Sequence, residues 1–174
     1  MKRTAISLAM LLVLAITSCK KNDVNTPTST TGGTVTAGNY GFDGTATLGK
    51  FTSTKATFTK VTANNTTTFT VTAVKDGSNE AITIVLIGTP AVGKTSFGGT
   101  LPGSITISKD YSKPSDLSLN YSTDRGSNTA RGGGEIIFTK VDGNTVEGTF
   151  YAVGYNNANK EAYAEQGTFS GTIQ

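Results

Sequence analysis

The chain has 174 residues, with 15 basic and 12 acidic side chains, a single cysteine, 21 glycines and no histidine or tryptophan. Without histidine, Ser-His-Asp and Cys-His catalysis and histidine-held metal centres are excluded, and one cysteine rules out an intramolecular disulfide. The basic surplus is small and forms no block, so neither nucleic acid nor an anionic membrane surface is expected as a partner, and no enzyme activity or cofactor is expected.

Lys2 and Arg3 precede an almost wholly apolar stretch, Ala5 to Ala15, which is shorter than the ~20 residues a membrane span needs. Residues 1–18 therefore read as a cleavable signal peptide. The next residues, Ile16-Thr17-Ser18-Cys19, resemble the lipobox of bacterial lipoproteins. That resemblance implies cleavage before Cys19, a diacylglycerol on its sulfur and acylation of the new amino group, so the membrane becomes a partner through a lipid anchor. In lipoproteins of this kind an aspartate after the cysteine favours inner-membrane retention; Lys20 stands there, which points to the outer membrane. Lys20-Lys21-Asn22-Asp23 partly matches the surface-export signal of Bacteroidetes-type lipoproteins, leaving open the periplasmic face or the cell surface. With Lys2 and Arg3 removed, the mature chain carries 13 basic against 12 acidic side chains, so the pI of about 9.0 overstates its charge.

Residues 19–39 are rich in Thr, Ser, Gly, Asn and Pro and have almost no large apolar side chain, the composition of a flexible tether. Residues 40–174 then form a single domain of ordinary size. Its apolar period is two, interrupted at short intervals by Gly, Asn and Asp. Strands are predicted at 42–49, 54–62, 66–75, 81–88, 94–99, 104–109, 116–122, 134–141, 144–154 and 162–173. Nine to ten short strands without helices indicate an all-β antiparallel sandwich or flattened meander barrel, with a lipocalin-like closed barrel as the alternative.

Asn64-Asn65 predicts a two-residue turn that sets Phe58 against Val71, Ala56 against Ala73 and Lys60 against Phe69. The other face of that hairpin is then threonine, Thr57 and Thr59 against Thr72 and Thr70, with Val61 against Thr68. Asp76-Gly77-Ser78-Asn79-Glu80 alternates oxygen-bearing residues but lacks the remaining calcium-loop spacing, and reads as a surface turn. Gly88-Thr89-Pro90-Ala91-Val92-Gly93-Lys94-Thr95 matches the P-loop pattern, yet the following Ser96-Phe97-Gly98-Gly99 cannot be the helix a P-loop requires. A strand-turn-strand is expected, with no nucleotide.

Asp142-Gly143 predicts a second hairpin pairing Ile137 with Gly148, Phe138 with Glu147, Thr139 with Val146 and Ile136 with Thr149. Both faces of these strands are apolar, as in Ile82 to Ile87, which predicts central strands covered on both sides. The register puts Glu147 among Ile136, Phe138 and Tyr151, where its pKa would rise; the plainer reading is a solvated carboxylate at the rim. Six tyrosines (Tyr40, Tyr111, Tyr121, Tyr151, Tyr155, Tyr163) offer rings for stacking a sugar. The candidate ligand contacts are Tyr155, Asn156, Asn157, Asn159 and Tyr163 in and beside one loop, with Glu147.

Val146-Glu147-Gly148-Thr149-Phe150 and its echo Glu165-Gln166-Gly167-Thr168-Phe169-Ser170-Gly171 resemble the paired Gly-Thr-Phe strands of small Bacteroidetes-type outer-membrane lipoproteins. Gly133 to Lys140 fits the same pattern, so the resemblance covers residues 132–173. It implies an exported β domain and transfers no catalytic residue. Two functions follow: a lipid-anchored binding or accessory module for a glycan or protein, or a structural envelope or host-contact protein without a small-molecule site. A tyrosine-lined concavity near 155–163 would favour the first, and a uniformly Thr/Ser/Lys-covered surface the second.

Overall fold

The computed structural model describes residues 32–44, 49–127 and 129–174; the signal peptide, Cys19 and the tether up to residue 31 lie outside them. Among the described residues ten strands run β1 Gly33–Phe42, β2 Gly49–Ala63, β3 Thr66–Val74, β4 Ala81–Ile87, β5 Gly93–Phe97, β6 Ser104–Ser108, β7 Asn120–Ser122, β8 Gly133–Asp142, β9 Thr145–Tyr155 and β10 Glu161–Thr172. Eight of them close an antiparallel barrel in the order β10-β1-β2-β3-β4-β6-β7-β9, sealed by β9 pairing with β10. β8 and β5 are extra: β8 pairs with β9 and β5 with β8.

The sandwich or flattened meander expected from the strand pattern is thus corrected to a closed barrel. A period of two reports only that one face of each strand is buried, which sandwiches and barrels share. Closure depends on β1, and β1 begins at Gly33, within the stretch that composition assigned to the tether. The first long strand partner of β10 was therefore missing from the prediction. The 42–49 strand is instead the end of β1 and the first residue of β2.

The first hairpin forms in the expected register, with Phe58 opposite Val71, Lys60 opposite Phe69 and Thr59 opposite Thr70. Asn64 and Asn65 both have positive φ, 49° and 60°, the backbone of a type I′ turn that matches strand twist. The second hairpin is displaced. Asp142 pairs with Thr145, so the turn residues are Gly143 and Asn144, and an irregularity between Phe138 and Lys140 shifts the rest. Phe138 faces Gly148 and Ile136 faces Phe150. The expected cover over both faces is also absent, since Ile87 is 42% and Ile137 36% exposed on the outer surface.

Aromatic side chains fill the barrel. At one end Phe58, Phe69, Phe138 and Phe169 make a closed ring with centroids 6.4, 5.7, 5.4 and 6.4 Å apart around the circuit. Phe138 belongs to β8, so this extra strand also contributes to the core. At the other end Tyr40 packs on Phe42 and Phe51, and Phe42 on Tyr121, at 5.2–5.3 Å. Buried isoleucines from β4, β6 and β8 lie among the fully enclosed side chains of the same core. Each buried aromatic or isoleucine contributes about 1.5–3 kcal/mol.

Candidate functional site

The loop between β9 and β10 uses its polar side chains on itself. Asn156 is buried; its amide Nδ2 donates to the Ser118 carbonyl at 2.8 Å, and its Oδ1 accepts from the N–H groups of Ala158 and Lys160 at 2.9 Å. The Asn157 N–H reaches the Leu117 carbonyl, and Asn159 holds the positive φ that the turn needs. The Tyr155 hydroxyl donates to Glu161 Oε2 at 2.6 Å, and this bond, followed by burial, raises its pKa. Tyr163 is half-buried on β10 opposite Val153, while Tyr155 is buried. The loop is a latch onto the 117–118 segment, and these five residues do not converge on one exposed surface.

Glu147 is not in an apolar surrounding. The shifted register puts it opposite Lys140, whose Nζ is 3.4 Å from its Oε1, with its side chain 43% exposed. The P-loop-like segment runs from β4 through a turn into β5, and Lys94 pairs with Glu135 at 3.0 Å. Asp76 is exposed and accepts from the N–H and hydroxyl of exposed Thr54.

Charged groups cap the barrel end occupied by Tyr40 and Phe42. Lys109 pairs with Asp43 and lies over the Phe42 and Tyr121 rings, while the Tyr121 hydroxyl donates to Asp43 Oδ1 at 2.9 Å. Burial opposes the charge on Asp43, but the hydrogen bonds from Lys109 and Tyr121 outweigh it and hold its pKa below the usual carboxylate range. Burial likewise opposes the Lys109 charge, and the bonds to Asp43 and Tyr121 raise its pKa despite that. Beside this cluster Lys75 pairs with Glu80 at 2.7 Å and covers the Tyr40 ring. The Tyr40 hydroxyl is buried without a hydrogen-bond partner among the described residues, and burial, then the Glu80 charge, raise its pKa. The cluster joins loops far apart in sequence, and no local motif announced it.

The open features are elsewhere. A slot of about 490 Å³ separates the end of β4 from β5, with Leu86, Ile87, Val92, Leu101 and Phe138 along it. On the outer face, β5, β8, β9 and β10 form a trough of two hollows that share Tyr151, which is 48% exposed, and a third hollow among the loops meets one of them at Arg131. Phe150 and Ala152 point into the core, so alternation along β9 turns Tyr151 outward. On one side lies a hollow of about 400 Å³ bounded by Glu135, Ile137, Thr149, Gln166 and Thr168. Here Gln166 adopts φ 52° in a break of register between Ala164 and Gly167, opposite Tyr151 and its neighbours.

On the other side of the ring is a hollow of about 380 Å³ over Gly133 and Gly134, with Ser96 and Arg131 at its margins. A Cβ at Gly133 would meet only the Phe97 carbonyl, at 3.6 Å, so its missing side chain leaves this space open. Arg131 also borders the third hollow, about 310 Å³, together with Gly99, Asp124, Arg125 and Ser127. Among the sequence candidates only the wider tyrosine set touched this trough, through Tyr151. The run Gly132-Gly133-Gly134 was the one local sign of a surface lacking side chains. Comparison of the chain with protein-family models, curated proteins and solved structures finds no match.

Proposed function

We propose that the chain is a lipid-anchored cell-envelope protein that acts through the outside of its barrel, as a structural or host-contact element without an enclosed small-molecule site. The observation that carries this reading is the filled interior: four phenylalanines interlock across one end and a Tyr/Phe layer closes the other. Barrels that carry small ligands keep that volume open. The tyrosine loop that would have favoured a ligand site is spent on internal hydrogen bonds.

The anchor rests on Lys2-Arg3, the Ala5 to Ala15 stretch and Ile16-Thr17-Ser18-Cys19. β1 begins at Gly33, so residues 20–32 give a linker with a maximal reach of about 45 Å from the lipid. Gly33 lies at the end of the barrel that carries the two-residue hairpins, and the Asp43–Lys109 cap lies at the opposite end. Such a linker leaves the outer wall free to meet a partner.

The test has two arms. Metabolic labelling with a palmitate analogue is expected to mark the wild type in the outer-membrane fraction and to vanish in Cys19→Ala, which remains folded; label retained by the variant overturns the anchor. Titration with long-chain fatty acids and other apolar small molecules is expected to leave the melting temperature unchanged. Saturable one-to-one binding of any of them overturns the contact reading.

A further inference from the structure

We propose that the trough around Tyr151 binds an acidic oligosaccharide chain, one whose sugars carry carboxylate or sulfate groups at intervals; this rests on the reading that the barrel acts through its outer wall. The ring of Tyr151 rises between two hollows of about 400 and 380 Å³, each within the range in which small ligands sit. A tyrosine ring presents an apolar face with a polar tip at little cost in side-chain entropy, which suits the flat C–H face of a pyranose. Hydroxyl partners stand around it: Thr149, Thr168, Gln166 and Glu135 on one side, and Ser96 on the other.

The charge pattern selects the class of chain. Arg131 borders two of the hollows, and neither it nor Arg125 makes an ion pair among the described residues; the Arg125 guanidinium donates to the Asn120 carbonyl at 3.1 Å. Guanidinium groups bind carboxylate and sulfate by paired N–H donors. Glu135 is offset by Lys94 at 3.0 Å, and Asp124 lies beside Arg125 in the third hollow. Five charges of mixed sign suit a chain with spaced anionic groups. They oppose the dense charge of a nucleic acid backbone, whose binding calls for a continuous basic track. Three hollows joined through Tyr151 and Arg131 accommodate a run of sugars.

The test uses the mature full-length chain and calorimetric titration with oligogalacturonate, alginate, chondroitin sulfate and heparin fragments. Fully methyl-esterified oligogalacturonate, poly-glutamate and oligothymidylate serve as the other arms. At least one acidic oligosaccharide is expected to bind, with Tyr151→Ala weakening it roughly tenfold or more, as loss of a central aromatic contact does. Arg131→Gln is expected to weaken the acidic chain selectively. Gly133→Val, which fills the middle hollow from an outer position, is expected to abolish binding while the melting temperature stays near that of the wild type.

The proposal is overturned if every acidic oligosaccharide fails to bind at concentrations on the order of 1 mM. It is equally overturned if the esterified chain, poly-glutamate or oligothymidylate binds as tightly, or if Tyr151→Ala binds like the wild type. None of these results touches the contact reading, which is tested by the titration with apolar small molecules.

Discussion

Phe58 is the side chain through which closure of the barrel can be measured. Its ring is 1% exposed and lies between Gly33 of β1 and Gly171 of β10, at the place where β10 runs past the start of β1. A Cβ on Gly171 would fall 2.5 Å from Phe58 Cδ2 and 2.9 Å from Cζ, with Cε2 nearer still. Removing the ring with Phe58→Ala should cost about 3–5 kcal/mol through lost burial and the cavity left behind. Gly171→Ala alone should cost about 1–3 kcal/mol, because the methyl drives the ring off its rotamer against a packed core. In the double variant the clash is gone and the methyl occupies part of the cavity. Its loss should therefore be smaller than the sum of the single losses by at least about 1 kcal/mol, as for residues in direct contact. Urea midpoints of the four proteins, with the slopes compared for two-state behaviour, supply the cycle. Additivity within about 0.3–0.5 kcal/mol would refute the claim that glycine at this position exists to admit the ring.

Thr70→Ala, on the outer face of the same hairpin, is expected to cost under ~1 kcal/mol, since only strand propensity and a cross-strand contact with Thr59 are lost; a denaturant midpoint shifted as far as that of Phe58→Ala would mean the faces are reversed. Asn156→Ala should lose about 1–3 kcal/mol by orphaning the N–H groups of Ala158 and Lys160, and a loss below about 0.5 kcal/mol would show the loop latch to be dispensable. Asp43→Asn is expected to lower the melting temperature at pH 7 but not in strong acid. The folded pKa of Asp43 is depressed, so its stabilisation is complete above the unfolded value near 3.9 and disappears as pH falls through the lower folded value. Melting curves of the two proteins that stay equally separated down to about pH 2 would contradict the Lys109 and Tyr121 bonds.

The strands were legible because their alternation and turn residues are local. Asn64-Asn65 specified its hairpin fully, since both residues tolerate positive φ and only one register satisfies that turn. Asp142-Gly143 misled by one position: Gly143 is the first turn residue and Asn144 the second, and the irregularity near Thr139 has no sequence mark. That shift takes Glu147 away from the apolar neighbours the drawn register implied and agrees with the plainer reading of a solvated carboxylate, here paired with Lys140. β1 was hidden because Gly33 to Phe42 mixes glycine and threonine with few apolar residues, and one of its two partner strands, β10, lies 120 or more residues away. The trough was illegible for a different reason. Tyr151, Gln166 and Gly133 become neighbours through the β8-β9-β10 pairings, whose register breaks near Thr139 and Gln166 have no sequence mark, and β5 adds Ser96 only by docking on β8.

The seam of the barrel joins its first strand to its last, Thr34 to Ser170 and Phe42 to Ala162, and the Gln174 N–H reaches beyond it to the Phe58 carbonyl. Pairings so distant in sequence form slowly, because the loop entropy is lost before the contacts return it. A chain threaded amino end first therefore cannot close its barrel until β10 is through. It remains threadable until then, and both raw edges, β1 and β9, disappear in one event when β10 slots between them. Truncation before β10 would leave those edges bare, and unpaired strand edges join other chains.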